Sequence, residues 1–134
     1  MCDNEYWLGL RTCRKYTWGY PFGMPQLEKP EEAPSRAYLK MEEAFLWTGC
    51  KHKQDNVVLE LGSAPGGTSY SLLDRGYRVF GADTAEMSEI CTDNEMFTHL
   101  PMPMQKLDFD NIPDKIDMLV CDVNLNPKIV VPQL

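Results

Sequence analysis

Short apolar runs divide the chain into segments with the length and composition of β-strands. VVLEL at 57–61 and YRVFGAD at 77–83 are apolar and contain β-branched residues, as buried strands do. MQKLDF at 104–109 is a weaker run of the same kind, and IDMLVCD at 116–122 is apolar and ends in an acid. The pattern therefore predicts four strands, of which the third is 104–109.

Helical spacing of apolar residues appears before and between these runs. The first helix is expected to begin after Ser35, a suitable N-cap. Its apolar face is formed by Ala37, Met41, Ala44 and Phe45. A second helix is predicted from Pro65, which suits a first helical turn, to Gly76, which suits the position just past a helix end. A short third helix is expected around 86–94.

Strands that alternate with helices at intervals of about 20 to 30 residues form the βαβ pattern of a parallel sheet. Glycine and proline interrupt residues 1–34 repeatedly, so we expect an irregular N-terminal arm there and an α/β domain at 35–134. About four parallel strands make half of a typical doubly wound sheet. The last strand would then expose an edge that a C-terminal half or a partner chain completes.

Three glycines, Gly62, Gly66 and Gly67, stand between the first strand and the second helix. Glycines allow the backbone to approach a ligand closely, and the helix N-terminus that follows suits an anionic group. Asp83 ends the next strand, where a carboxylate can accept hydrogen bonds from both hydroxyls of a ribose. Loop and acid together predict a site for a nucleoside-bearing cofactor; the alternative is a tight turn followed by an exposed acid.

The spacing leaves two cofactor classes open, a nicotinamide dinucleotide and S-adenosylmethionine. The dinucleotide pattern G-x-G-x-x-G is not met, because Ala64 stands where its second glycine belongs. An alanine at this position disfavours binding of the pyrophosphate of a dinucleotide. Asp108, at the end of the third predicted strand, is either an acceptor for an adenine amino group or a turn residue.

The charge distribution indicates how strongly the chain can attract an RNA partner. The net charge is −7, and the acidic residues are concentrated in 54–134, so the overall field does not attract RNA. RTCRKYTWGY at 11–20 interleaves cations with aromatic rings, as RNA-binding segments do, although an ordinary arm with a basic edge is favoured. Arg36 is either a phosphate contact or a surface residue.

The cysteines and the lengths of the apolar runs indicate in which cellular compartment the protein is expected. Five cysteines without paired spacing predict reduced thiols in a cytoplasmic protein. Cys50 and His52 lack a second ligand pair, so no metal site is expected. No apolar run reaches the roughly 20 residues that cross a bilayer, and no secretory signal is expected at the start.

The same residues occur together in a known family. PSRAYLKMEEAF, LELGSAPGGTSYSL, GADTAEM and DMLVCD resemble, in this order, the motifs of FtsJ-like ribose 2′-O-methyltransferases. The segment 23–45 resembles the RlmM-like branch, which modifies a cytidine of 23S ribosomal RNA. The resemblance covers roughly residues 20 to 127. It implies a Rossmann-like class I S-adenosylmethionine methyltransferase fold, and methyl transfer to an RNA ribose 2′-oxygen with large-subunit ribosomal RNA as partner.

The resemblance also implies residue roles. In the family's Lys-Asp-Lys-Glu catalytic set, the first lysine matches Lys40 and the aspartate matches Asp122. The ribose-binding acid matches Asp83. The cofactor loop matches Gly62, Ala64, Pro65, Gly66 and Gly67.

Three departures separate the chain from the family pattern. Thr68 stands where the family usually has tryptophan, and DVNLNP replaces the usual small-residue and proline turn after Asp122. The second lysine and the glutamate have no counterpart up to Leu134. A lysine paired only with a carboxylate keeps its proton near neutral pH and cannot accept another.

Two classes of function therefore remain open. The first is the N-terminal part of the catalytic domain of an RNA ribose 2′-O-methyltransferase. The second is a truncated, non-catalytic module that binds S-adenosylmethionine or RNA. Lys40 also has a simpler interpretation, a surface ion pair with Glu43 three residues later on the same helix, and Asp122 could merely end a strand.

Overall fold

The computed structural model of the protein describes residues 25–50, 53, 55–123 and 128. The basic segment 11–20 and His52 lie outside the described residues. The helices and strands are α1 (Ala37–Thr48), β1 (Val57–Leu61), α2 (Gly67–Asp74), β2 (Arg78–Ala82), α3 (Glu89–Thr92), β3 (Phe97–Leu100) and β4 (Met118–Cys121). Two single turns of 3-10 helix, Met104–Lys106 and Phe109–Asn111, lie between β3 and β4.

The four strands form one parallel sheet in the order β3-β2-β1-β4. This confirms the predicted α/β fold with four parallel strands. In the described part of the chain β1 is central, between β2 and β4, and β4 is an edge strand. Because the strands are parallel, the segments that follow β1, β2 and β4 meet at one edge of the sheet.

The third strand was predicted in the wrong place. It is Phe97–Leu100, whereas 104–109 forms parts of the two 3-10 turns. Phe97 and Leu100 are buried and anchor the strand. Pro101 and Pro103 follow at once, and prolines have no N–H for a strand ladder, so the chain leaves the sheet. Asp108 is therefore not at the end of a strand.

The first helix begins one residue later than expected. Arg36, not Ser35, is the N-cap, although Ser35 Oγ still accepts a hydrogen bond from the Ala37 N–H at 3.2 Å. Gly49 ends the helix with a left-handed φ of 60°. Within 25–34 there is no helix or strand.

The sheet has two differently covered faces. One face packs against the three helices; its buried side chains are Met41, Val58, Leu72, Leu73, Tyr77, Val79, Cys91 and Phe97. The other is covered by the segment after β3, and its buried side chains are Leu59, Leu61, Ala82 and Leu100. No helix among the described residues is long and apolar enough to span a membrane.

Candidate functional site

Three predicted residues meet at the carboxyl edge of the sheet: Gly62 after β1, Asp83 after β2 and Asp122 after β4. Gly62 N–H donates to the Ala82 carbonyl at 2.9 Å, and Asp122 N–H donates to the Leu61 carbonyl at 3.0 Å. A Cβ added to Gly62, whose φ is +79°, would lie 2.8 Å from the Asp122 carbonyl oxygen. Only glycine therefore lets these two segments approach so closely.

Asp83 directs its carboxylate at the glycine loop. Its Oδ2 accepts a hydrogen bond from the Ala64 N–H at 3.0 Å, and its Oδ1 accepts one from the Ala85 N–H at 2.9 Å. Each carboxylate oxygen has a further lone pair, so the group can still accept ribose hydroxyls.

His99 of β3 supports Asp83 from the neighbouring strand. Its Nε2 lies 3.1 Å from the Asp83 backbone oxygen. A carbonyl oxygen only accepts, so Nε2 carries the hydrogen and donates it. This contact was missed from the sequence because the third strand was placed after His99.

Gly66 and Gly67 let neighbouring elements pack closely against the loop. A Cβ on Gly66, whose φ is +113°, would lie 2.6 Å from Cys91 Sγ of α3. A Cβ on Gly67 would collide with Ser35 Oγ, just before α1. The two glycines thus bring α3 and the start of α1 against the loop, while Pro65 is exposed.

Lys40 and Asp122 form an ion pair across the site. Lys40 Nζ lies 2.7 Å from Asp122 Oδ2 and 2.9 Å from Oδ1. The side chains are 67% and 38% exposed, so both remain accessible. Glu43, the alternative partner, instead accepts a hydrogen bond from Trp47 Nε1 at 3.0 Å.

The orientation of α1 is fixed on the side opposite Lys40. Glu42 accepts a hydrogen bond from Ser71 Oγ of α2 at 2.7 Å and forms an ion pair with Arg75. The Arg75 guanidinium lies 4.6 Å from the centre of the Phe45 ring, a cation–π contact. Residues two apart on a helix point in different directions, so this contact with α2 leaves Lys40 directed at Asp122.

An open cleft lies beside Asp83. It is lined by Gly62, Ala82, Asp83, Thr84, Met102, Pro103, Met104, Gln105 and Val123. The side chains after β3 were not recognised from the sequence, because the third strand was expected there. Asp108 does not line this cleft; it is exposed, and its Oδ1 accepts a hydrogen bond from the Asp110 N–H at 3.1 Å, as a turn residue does.

Glu60 is a buried acid that the sequence reading did not single out. It lies on β1 with 1% of its surface exposed, and Ser69 Oγ donates a hydrogen bond to its Oε2 at 2.6 Å. Burial is the largest cause that raises the pKa of Glu60; the Ser69 hydrogen bond lowers it, and the negative charges of Asp122 and Asp83 raise it, and together they bring the pKa to about 8. The only signal was a charged residue inside an apolar run.

Comparison with known sequences gives consistent matches. The model of the FtsJ-like methyltransferase family matches residues 33–133. A protein named ribosomal RNA large subunit methyltransferase M from Laribacter hongkongensis is 35% identical over 118 residues, which are 82% of this chain and 33% of the relative. A protein of the same name from Pseudomonas paraeruginosa is 36% identical over 134 residues, covering 92% of this chain and 36% of the relative. The chain thus spans about a third of these relatives.

A solved structure supports the fold alone. A protein from Lactococcus lactis described as a candidate hemolysin superposes with a TM-score of 0.68 at 17% sequence identity. The match covers 78% of this chain and 52% of that one.

Proposed function

Because the chain belongs to the FtsJ-like methyltransferase family, we propose that it is part of an S-adenosylmethionine-dependent methyltransferase. The proposed substrate is the ribose 2′-oxygen of large-subunit ribosomal RNA, and the proposed compartment is the cytoplasm. The observation that carries the proposal is the Lys40–Asp122 pair, 2.7 Å apart, beside Gly62 and Asp83.

The residues at the carboxyl edge fit the cofactor. Asp83 would hold the ribose through its carboxylate, and the cleft that includes Met102 and Met104 offers an apolar surface for the adenine. Gly62 would lie under the cofactor, whereas Ala64 contributes the N–H that orients Asp83. Pro65, Gly66 and Gly67 would shape the loop from behind. Bound there, S-adenosylmethionine supplies an electrophilic methyl group.

Asp108 has the weakest support of the proposed cofactor residues. Its carboxylate is turned to its own backbone at Asp110, and the cleft is lined by other residues. An adenine contact would require this turn to rearrange when the cofactor binds.

Lys40 and Asp122 are the proposed catalytic residues. Asp122 holds the Lys40 ammonium through both carboxylate oxygens. In that position Lys40 can donate a hydrogen bond to the 2′-oxygen and hold it in line for attack. Removing the hydroxyl proton needs a group that accepts it, and a second cation near Lys40 would favour its neutral form.

The RNA and the rest of the sheet are proposed partners. The relatives named above act on large-subunit ribosomal RNA, as their names state. In the described part of the chain β4 is an edge strand, and Leu119 on it is 45% exposed. We infer that a further strand, from a C-terminal continuation or a partner chain, pairs with β4 and completes the site.

Calorimetric titration tests the cofactor assignment on the 134-residue chain. S-adenosylmethionine should bind more tightly than NAD at matched concentrations, and Asp83→Ala should weaken it about 10- to 100-fold, as expected for a hydrogen bond to a charged group. Asp114→Ala, which removes an exposed carboxylate outside the cleft, is the matched control and should bind normally. Tighter binding of NAD, or equal effects of the two substitutions, would overturn the assignment.

A further inference from the structure

The cleft beside Asp83 contains a polar side chain that neither the ribose contact nor the proposed methyl transfer uses. Among the described residues that line the cleft, three have polar side chains: Asp83, Thr84 and Gln105. Asp83 and Thr84 are consecutive and follow β2, whereas Gln105 belongs to the segment after β3. The cleft therefore brings one amide from a separate segment to the same space as the Asp83 carboxylate.

The backbone on both sides of Gln105 is held in place. Met104 and Leu107 pack against the buried cluster on the sheet face that this segment covers. Lys106 N–H donates a hydrogen bond to the Pro103 carbonyl at 2.9 Å, which closes the 3-10 turn that contains Gln105. Because its neighbours are anchored, Gln105 keeps its place at the cleft while its own side chain is exposed.

The Gln105 amide is available to a ligand, and the Asp108 carboxylate is not. No described residue forms a hydrogen bond with the Gln105 side chain. Asp108 lies outside the cleft lining, and its Oδ1 accepts the Asp110 N–H at 3.1 Å. An amide also offers both an acceptor and a donor, whereas an ionised carboxylate only accepts.

Adenine presents a matching pair of groups along one edge. Its 6-amino group donates hydrogen bonds, and the ring nitrogen on either side of that position accepts them. A glutamine amide can bond both groups at once, as it does with adenine in nucleic acids. With the ribose at Asp83 and the base on the apolar surface of Met102 and Met104, Gln105 is the polar side chain that follows this surface in the chain.

We propose that Gln105 is a specificity-determining residue for the cofactor: its amide accepts a hydrogen bond from the adenine 6-amino group and donates one to a neighbouring ring nitrogen. The inference rests on the proposed function, because it takes S-adenosylmethionine as the ligand and Asp83 as the ribose contact. It assigns the adenine edge to Gln105 rather than to Asp108.

Calorimetric titration of the 134-residue chain with two ligands tests this contact. The first ligand is S-adenosylhomocysteine, the demethylated form of the cofactor, and the second is its analogue with purine in place of adenine, which lacks only the 6-amino group. The wild-type chain should bind the first ligand about 3- to 10-fold more tightly, the range expected for a hydrogen bond between uncharged groups.

Gln105→Ala is the main variant, because an exposed turn residue can be truncated without disturbing the core. It should weaken binding of S-adenosylhomocysteine and bring the ratio of the two affinities close to one. A general loss of structure would weaken both ligands equally and leave the ratio unchanged, so the ratio isolates the direct contact. Asp108→Ala and Thr84→Ala are the matched controls, and both should keep the wild-type ratio.

The outcomes separate the two proposals. If S-adenosylhomocysteine binds and Asp83→Ala weakens it, but the ratio is the same in the wild type and in Gln105→Ala, the role of Gln105 is overturned and the cofactor assignment stands. The same holds if Asp108→Ala, and not Gln105→Ala, abolishes the preference. If S-adenosylhomocysteine does not bind, or binds equally well to Asp83→Ala, the proposed function falls and this inference falls with it.

Discussion

Lys40 Nζ lies 2.7 Å from Asp122 Oδ2, although the two residues are 82 positions apart in the chain. Lys40 is held by the packing of α1 on α2, and Asp122 by the end of β4 next to Gly62. Two independent parts of the fold therefore place one cation and one carboxylate beside the cleft.

We predict that this pair contributes little to stability. Exposed ion pairs are worth about 0 to 1 kcal/mol. Lys40→Ala should therefore lower the free energy of unfolding by no more than Lys115→Ala, which removes the exposed Lys115–Asp117 pair outside the site. Urea unfolding measures both. A loss of several kcal/mol in Lys40→Ala alone would mean that the pair is structural.

The strand pattern was predictable where apolar residues are continuous. Val57–Leu61 was predicted with its observed bounds, because a run of only five residues that is rich in β-branched and leucine side chains and is followed by glycine favours a buried strand over a helix. FTHL at 97–100 has only two apolar residues, with a threonine and a histidine between them, so it gave no periodic signal. Its burial depends on the neighbouring strand and on α3, which no local pattern contains.

Only part of the site could be predicted, because some of its contacts also depend on elements that are distant in the sequence. The loop and Asp83 follow from their positions after strands, and the resemblance pointed to Lys40 and Asp122. The contact between Lys40 and Asp122 depends on how α1 packs. Glu60 was missed because its burial depends on Ser69, nine residues later, in a helix that covers the sheet.

We predict that stability falls as pH rises from about 4.5 to about 8. Glu60 in the folded chain has a pKa of about 8, against an ordinary value of 4.5, so the folded state holds a proton that the unfolded state has lost. This contribution is complete below pH 4.5 and is lost as pH rises through 8. Its size is on the order of a few kcal/mol.

The pH dependence is isolated by comparison with Glu60→Gln. Urea unfolding at several pH values should give a difference between the two proteins that changes in favour of the variant as pH increases. Other groups cancel in this difference, including Asp117, whose pKa is lowered by Lys115 and by the Val57 N–H. A difference that stays constant from pH 4 to pH 9 would contradict the buried protonated carboxyl.

We predict that Gly67→Ala destabilises the chain by about 1–3 kcal/mol, the usual cost of overpacking. The added methyl group would meet Ser35 Oγ, the Ser35 carbonyl oxygen and the Tyr38 nitrogen. Because two of these atoms are backbone, Ser35→Ala in the same chain should not restore stability. Full recovery of stability in the Gly67→Ala/Ser35→Ala double variant would contradict this prediction, because it would show that the added methyl group collides only with the Ser35 hydroxyl.

In the 134-residue chain by itself, we predict that the outer edge of β4 associates with strands of other molecules. Unpaired strand edges associate with other strands, and Leu119 on this strand is 45% exposed. We expect rapid amide exchange at Leu119 and concentration-dependent association in sedimentation, with Leu119→Lys reducing the association. A monodisperse monomer with slow exchange at Leu119 and Val120 would show that the edge is already covered.

The last prediction is that residues 1–134 alone do not methylate unmodified large-subunit ribosomal RNA at a useful rate. Lys40 is paired only with Asp122 among the described residues, and a lysine held by a carboxylate keeps its proton near neutral pH. The net charge of −7 also gives the RNA little attraction. A radiolabelled methyl-transfer assay tests this prediction, with the full-length relative from Laribacter hongkongensis as the positive control. If the chain transfers methyl groups, and Lys40→Ala abolishes the transfer while Lys115→Ala retains it, then Lys40 acts without a second cation and the prediction is wrong.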